Sequence, residues 1–246
     1  PGPRVALRGV GFDYAGRGFV PRAIVQFDRG GSGGVLEGFE LSGAHNGSHN
    51  GAGVRINQAD NVTIRNCDIH GTMHTGIMLF DNATAGVTGS YALAGGTLTV
   101  GGRVSIGQAA GVAGSYVQTG GTLQTGTLAL GLSAGSAGHY AQRAGIVRVA
   151  GDATIGAAGT GTYGQTGGLL IVGGHLLIGA EAGASGSYAL DNGTLAVGGT
   201  IVLGGTTAAD GGSGALAISG TANVFAHGLD LRPGGRLAGL GGGITL

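Results

Sequence analysis

Between Gly89 and Ser213 the chain writes one phrase five times. Each copy opens on Gly-x-Tyr, crosses a glycine corner, runs Leu-x-Val or its equivalent, turns again, and closes on an apolar-x-Ile/Leu strand followed by Gly. The copies are GSYALAGGTLTVGGRVSIG, GSYVQTGGTLQTGTLALG, GHYAQRAGIVRVAGDATIG, GTYGQTGGLLIVGGHLLIG and GSYALDNGTLAVGGTIVLG. Their tyrosines are Tyr91, Tyr116, Tyr140, Tyr163 and Tyr188, which sets a period of 23–25 residues. Short alternating strands divided by glycine turns at such a period stack as the coils of a β-solenoid.

Composition agrees with that reading once the repeat is in view. Sixty of 246 residues are Gly, a fraction that suggests low complexity when no period accompanies it. Here 42% of residues are hydrophobic and recur in register, so the glycines read as corners. Charged residues make up 10% and the formal net charge is zero, which leaves no electrostatic footprint for nucleic acid or an anionic membrane surface. No helix-length apolar run spans a bilayer. All twelve basic residues are arginine, so no lysine is present to act as a base. The single Cys67 excludes an intrachain disulfide and a cysteine-based zinc cage. No signal peptide is visible, and both ends read as mid-coil, so the sequence is expected to be cut from a longer chain.

The style of the sequence changes near Ala85. Five of six Phe precede that point and five of six Tyr follow it. No linker separates the parts, so residues 1–85 are expected to form irregular coils with a polar loop edge, and residues 86–246 regular coils continuous with them. In the first part AIVQF (23–27), GVRINQA (53–59) and GIMLFDNA (76–83) read as one strand on successive coils. VLEGFELSG (35–43) and VTIRNCDIHG (62–71) read as the next strand along. In the second part the inward pairs are Leu98/Val100, Leu123/Thr125, Val147/Val149, Leu170/Val172 and Leu195/Val197. The following strand adds Val104/Ile106, Leu128/Leu130, Ala153/Ile155, Leu176/Ile178 and Ile201/Leu203. Stacking at about 4.8 Å places the tyrosines in one column with Gln118, Gln142 and Gln165 beside it, and buried glutamines there need amide partners between coils.

The segments GFELSG, GAGVRINQADNVTIRNCDIHG and TGIMLFDN resemble the right-handed parallel β-helix family that includes pectate-lyase-like proteins, over residues 23–85. The GSY…GGTL-x-VGG…IG units resemble autotransporter-like and PEP-CTERM-associated repeats of bacterial surface proteins, over residues 89–231. These resemblances imply an all-β, single-stranded right-handed parallel β-helix of about ten coils, on the order of 45–50 Å long. They are specific for architecture and not for activity.

Reactive groups concentrate in residues 37–82. The loop AHNGSHNG (44–51) interrupts one coil, and IHGTMHTG (69–76) occupies the matching place on the next. Stacked on one edge, His45 and His49 approach His70 and His74, with Arg55, Arg65, Asp68 and Asp81 near in sequence. Such an edge can line a sugar-binding groove, bind Zn or Ca, or remain a solvated polar loop. Pectate-lyase-like enzymes combine acidic Ca²⁺ ligands with an Arg or Lys base on one face. That resemblance makes Arg65, His70 and Asp68 the catalytic candidates, and Arg55 with the four histidines the ligand-binding ones. No Asp-Asp pair stands ready for glycoside hydrolysis, although Glu37, Glu40, Asp60 and Asp68 are close enough in sequence to converge. On the second half Ile146, Leu169, Ile171, Leu177 and Val202 are expected to face outward as an apolar strip, a candidate lateral or partner contact. His139, His175 and His227 read as isolated surface substitutions.

The function expected from these features is that of a non-catalytic, extracellular or bacterial cell-surface scaffold: a stalk, adhesin segment or matrix component that self-associates end to end or laterally. No cofactor is assigned beyond the Ca or Zn just weighed, and an extracellular glycan is the candidate partner. The competing readings are a polysaccharide lyase or glycoside hydrolase, or a carbohydrate-binding module, acting through the 37–82 edge.

Overall fold

The computed structural model of the chain describes residues 5–8, 23–27, 29–31, 33–43, 52–57, 62–65, 67–70, 75–80, 88–239 and 241–246. Side chains are described from Ala92 onward and for parts of the earlier strands. Among the described residues there are 24 strands, a single 3₁₀ turn at Arg29–Gly31 and no α-helix. No described helix is long and apolar enough to cross a membrane.

Every strand-to-strand ladder is parallel, and each pairs one coil with the next. Two sheets result. A nine-stranded sheet carries the Gly-x-Tyr strands, from Val35–Glu37 through Thr88–Leu93, Ala113–Gln118, Ala137–Gln142, Thr160–Gln165 and Ser185–Leu190 to Gly235–Gly239. A fifteen-stranded sheet carries the remaining strands of each coil. Like sits over like: Tyr91 pairs with Tyr116, Tyr116 with Tyr140, Tyr140 with Tyr163, and Tyr163 with Tyr188. The chain is therefore an all-β parallel solenoid. Its two sequence styles share the same sheets, because the strand at 62–65 pairs with 88–93 and the strand at 75–80 pairs with 97–106.

In the early coils Ala23–Phe27 lies beside Ala52–Asn57 and that strand beside Thr75–Phe80, as expected. VLEGFELSG and VTIRNCDIHG, by contrast, each divide into two strands, Val35–Glu37 and Phe39–Ser42, and Val62–Arg65 and Asp68–His70, carried by the two different sheets. The expected total of about ten coils is too high. The regular stack counts seven, from the strand at Thr88–Leu93 to that at Gly235–Gly239, and two looser coils precede it in the same sheet. The early coils are longer than the repeats, since Val35 pairs with Thr63 and Val62 with Tyr91, separations of 28 and 29 residues. More residues per coil leave fewer coils.

Period-2 alternation builds the core. Leu98, Leu123, Val147, Leu170 and Leu195 form one buried column, and Ile106, Leu130, Ile155, Ile178 and Leu203 another. Each large apolar side chain in these columns contributes about 1.5–3 kcal/mol of transfer free energy. The corner after the second column accepts only glycine. Gly107, Gly131, Gly156, Gly179 and Gly204 all have φ between +62° and +80°. A Cβ at Gly131 would overlap the Thr160 backbone carbonyl of the following coil. Positive φ and close backbone approach both select glycine there.

Candidate functional site

Two places merit a site-level description: the 37–82 edge, where the sequence concentrates reactive groups, and the interior ladder, where the structure concentrates buried polar contacts. At the edge, the strands Phe39–Ser42 and Asp68–His70 run parallel and in register, so Glu40 lies opposite Asp68 and Ser42 opposite His70. Asp68 in turn pairs with Thr99 of the next coil. Asp68 and His70, two residues apart on one strand, share a face of the larger sheet. Arg65 belongs to the other sheet, opposite Glu37, so the corner at Cys67 separates it from Asp68 and His70. Arg55 is placed on a third strand, between Gln26 and Met78 in register. Its side chain is only 2% exposed, so it does not present its guanidinium to solvent. His45, His49, His74 and Asp81, like Asp60, lie outside the described residues. The meeting of the two histidine loops on one edge therefore has no coordinates to describe it. Among the described residues no group of three or more His, Cys, Asp or Glu is arranged to hold a metal ion.

The apolar strip takes a different form from the expected one. Val202 is fully buried, and Ile146, Leu169, Ile171 and Leu177 are half-buried. In the same register column as Val202, Ser105 and Ala129 are also buried, so the outer side of this strand is covered along much of its length. Alternation along a strand predicts which side a residue takes and not what packs over that side. A cavity of about 470 Å³ opens beside the last strands, bounded by Ile218, Leu237, Gly239, Gly241, Gly242 and Ile244. Its walls hold no ionisable side chain.

The ladder has the densest buried polar chemistry among the described residues. Gln118, Gln142 and Gln165 are 0% exposed, and Tyr116, Tyr140, Tyr163 and Tyr188 at most 1%. Each glutamine does three things. Its Oε1 accepts the phenol proton of the following coil, from Tyr140 to Gln118 at 2.6 Å, Tyr163 to Gln142 at 2.7 Å, and Tyr188 to Gln165. Its Nε2 donates to the glycine carbonyl of its own turn, Gly121, Gly145 or Gly168, at 3.0–3.2 Å. The second Nε2 hydrogen reaches the next coil, at the carbonyl of Ile146, Leu169 or Thr194, at 3.1–3.2 Å. An amide offers two donors and an acceptor, and every rung engages all three. The rings stack at 4.4 Å for Tyr116–Tyr140 and 4.6 Å for Tyr140–Tyr163, then turn edge-on at 4.9 Å for Tyr163–Tyr188. Burial holds the Tyr163 and Tyr188 phenols well above the usual tyrosine range, with the neighbouring phenols Tyr188 and Tyr116 adding to the effect at Tyr163.

No family model matches the chain, and neither does any curated protein or solved structure. The architecture therefore stands on the parallel coils themselves.

Sequence reasoning found the tyrosine column and its glutamines but not the pairing rule. The glutamines bond phenols and backbone rather than one another. It also misjudged His175. The Asp152 carboxylate accepts the His175 backbone N–H at 2.7 Å, and His175 Nδ1 accepts the Thr200 N–H at 3.1 Å. His175 is thus a link in a corner ladder and not a bare surface substitution. The signal was positional: Asp152, His175 and Thr200 each precede the in-register residues Ala153, Leu176 and Ile201 on three successive coils. His139 is exposed, and its Nδ1 lies 2.7 Å from Thr162 Oγ1 on the next coil.

Proposed function

We propose that the chain is a structural β-solenoid, a non-catalytic stalk or scaffold segment of an extracellular or bacterial cell-surface protein. The observation that supports this reading most is the use made of the polar side chains. In the regular coils the buried glutamines and tyrosines, and the corner pair Asp152 and His175, bond to adjacent coils instead of converging on a cavity. Among the residues that point outward from the tyrosine strands, Ser115, Thr162, Ser187, Ala141, Gly164 and Ala189 are small and uncharged. Such a surface favours a rod that spaces or displays other elements. The resemblance of the repeats to autotransporter-like and PEP-CTERM-associated units points the same way.

The resemblance of residues 23–85 to pectate-lyase-like β-helices supplies the rival activity, polysaccharide cleavage or binding through Arg65, Asp68 and His70. The decisive experiment incubates the purified chain with a panel of uronate-containing polymers and follows unsaturated product by ultraviolet absorbance, with reducing-end release as a second readout. The scaffold reading expects no turnover on any polymer, with or without added Ca²⁺ or Zn²⁺. Turnover abolished by Arg65→Ala or His70→Ala overturns it.

A further inference from the structure

The ladder does not run the length of the rod. Among the described side chains its first tyrosine is Tyr116, its three glutamine rungs are Gln118, Gln142 and Gln165, and its last tyrosine is Tyr188. On that last coil the glutamine position is Leu190, and on the following coil Leu216 and Ile218 take the tyrosine and glutamine positions. From there outward the interior is held by apolar contact and backbone ladders alone.

A second change coincides with this boundary. In the ladder coils the corner segments bond to the coil before them: Leu132 N–H to the Gly107 carbonyl, Ala180 to Gly156, and Glu181 to Ala157, at 2.8–2.9 Å. After Gly204 the corner closes on itself. Thr206 N–H bonds the Ala209 carbonyl and Gly211 N–H the Gly204 carbonyl, with a local antiparallel bridge between Gly205 and Asp210. Arg232 then ties this loop outward, to Asp210 at 3.6 Å and to the Thr207 carbonyl at 3.1 Å, while also pairing with Asp230 at 2.9 Å. The loop is thus tied through Arg232 to the coil after it, while its two ends stay bonded to the coil before, Gly204 N–H to the Ile178 carbonyl at 2.7 Å and Gly212 N–H to the Gly179 carbonyl at 3.0 Å.

We propose that this boundary is a built-in yield point: the coils from Gly205 onward open as a unit while the ladder block, residues 113–190, stays closed. In a solenoid, stability is the sum of each coil's own terms and its nearest-neighbour interfaces, so the chain parts where an interface lacks the contacts its neighbours have. Each rung crosses the coil boundary with one phenol bond that is buried and one amide bond that is part-buried. Loss of bonds of that kind changes an opening equilibrium by roughly five- to tenfold each. The proposal does not depend on the scaffold reading; a rod with catalytic loops would yield at the same place.

The test is native-state hydrogen exchange, read by mass spectrometry on the intact chain across a urea series. Peptides within 113–190 should share one protection isotherm, and peptides within 213–239 should exchange about 25- to 100-fold faster in a separate, earlier isotherm. Leu216→Ala should speed exchange only in the outer segment. Tyr163→Phe should speed it across the ladder block and leave the outer isotherm in place. A single isotherm shared by both segments overturns the proposal. So does a Leu216→Ala chain whose ladder block speeds up as much as its outer coils. Leu216→Ala tests the boundary even if ladder variants fail to fold, because it leaves every rung intact.

Discussion

The Tyr140–Gln118 contact is the place to test whether the ladder is energetic or decorative. Tyr140 donates to Gln118 Oε1 at 2.6 Å, with both side chains fully buried. Tyr140→Phe keeps the ring between Tyr116 and Tyr163 and removes one oxygen, leaving the Gln118 carbonyl without that proton. An orphaned buried acceptor costs about 1–3 kcal/mol, so we expect a loss near 1.5 kcal/mol. Gln118→Met keeps much of the volume but strands the Tyr140 hydroxyl and removes the Nε2 bonds to the Gly121 and Ile146 carbonyls, the first of which keeps only the Ile146 N–H. The expected loss is about 3–4 kcal/mol, because three groups are affected and the backbone carbonyls keep their strand geometry. The double variant removes the phenol hydroxyl that Gln118→Met had stranded. In that background Tyr140→Phe also orphans no acceptor, so the double variant should fall short of the sum of the single losses by about 2.5–3 kcal/mol. The assay is urea unfolding followed by circular dichroism, compared through midpoints at constant slope. Additive losses, within about 0.3 kcal/mol, would refute the claim that tyrosine and glutamine act as one unit.

Glycine at the corner and glycine on the strand should respond in opposite senses. Gly131→Ala forces a positive φ on a residue with a Cβ that overlaps the Thr160 carbonyl, so thermal melts should show a loss of at least about 2 kcal/mol. Gly164→Ala meets nothing within 4 Å, has no such backbone constraint, and stands in register with Ala141 and Ala189. It should stabilise by about 0.5–1 kcal/mol, and a loss there would contradict the register. In alkali, the raised Tyr163 and Tyr188 phenols bind their protons more tightly in the folded state than in the unfolded chain. The stability they contribute is whole below the unfolded tyrosine value of about 10 and is lost as pH rises beyond it. Urea midpoints should therefore fall steeply above that pH, and a Tyr163→Phe, Tyr188→Phe chain should show a shallower fall from its own neutral-pH midpoint.

What was legible in the sequence came from repetition. Leu98, Leu123, Val147, Leu170 and Leu195 fill equivalent positions in five copies, so side-chain alternation and in-register stacking assign them to one buried column without any coordinates. The tyrosine column follows by the same argument. Alternation is silent, however, about what lies over the outer side of a strand, and Val202 was misjudged for that reason. It is equally silent about side-chain atoms, so the amide's choice of a phenol and two carbonyls emerged only from geometry. The ladder also does something that patterning cannot. A two-residue slip along a strand keeps every inward residue inward, but it would move Tyr140 off Tyr116 and break the bond to Gln118. Candidate chemistry in residues 37–82 was the least legible part. Its repeats are loose, so no period fixes which polar side chains meet; Arg55, a candidate ligand by sequence, is buried.

Everything in the fold follows from the in-register stacking of successive repeats along a single axis. Spin labels at Ser115→Cys and Arg236→Cys test it directly, with the buried Cys67 replaced by Ser. These positions lie on one column through His139, Thr162, Ser187 and Ala215. Five coil steps at about 4.8 Å give a backbone separation of about 24 Å, and dipolar spectroscopy should return a single narrow distribution near it. A broad distribution, or a maximum beyond about 40 Å, would mean that the repeats do not stack as one in-register column.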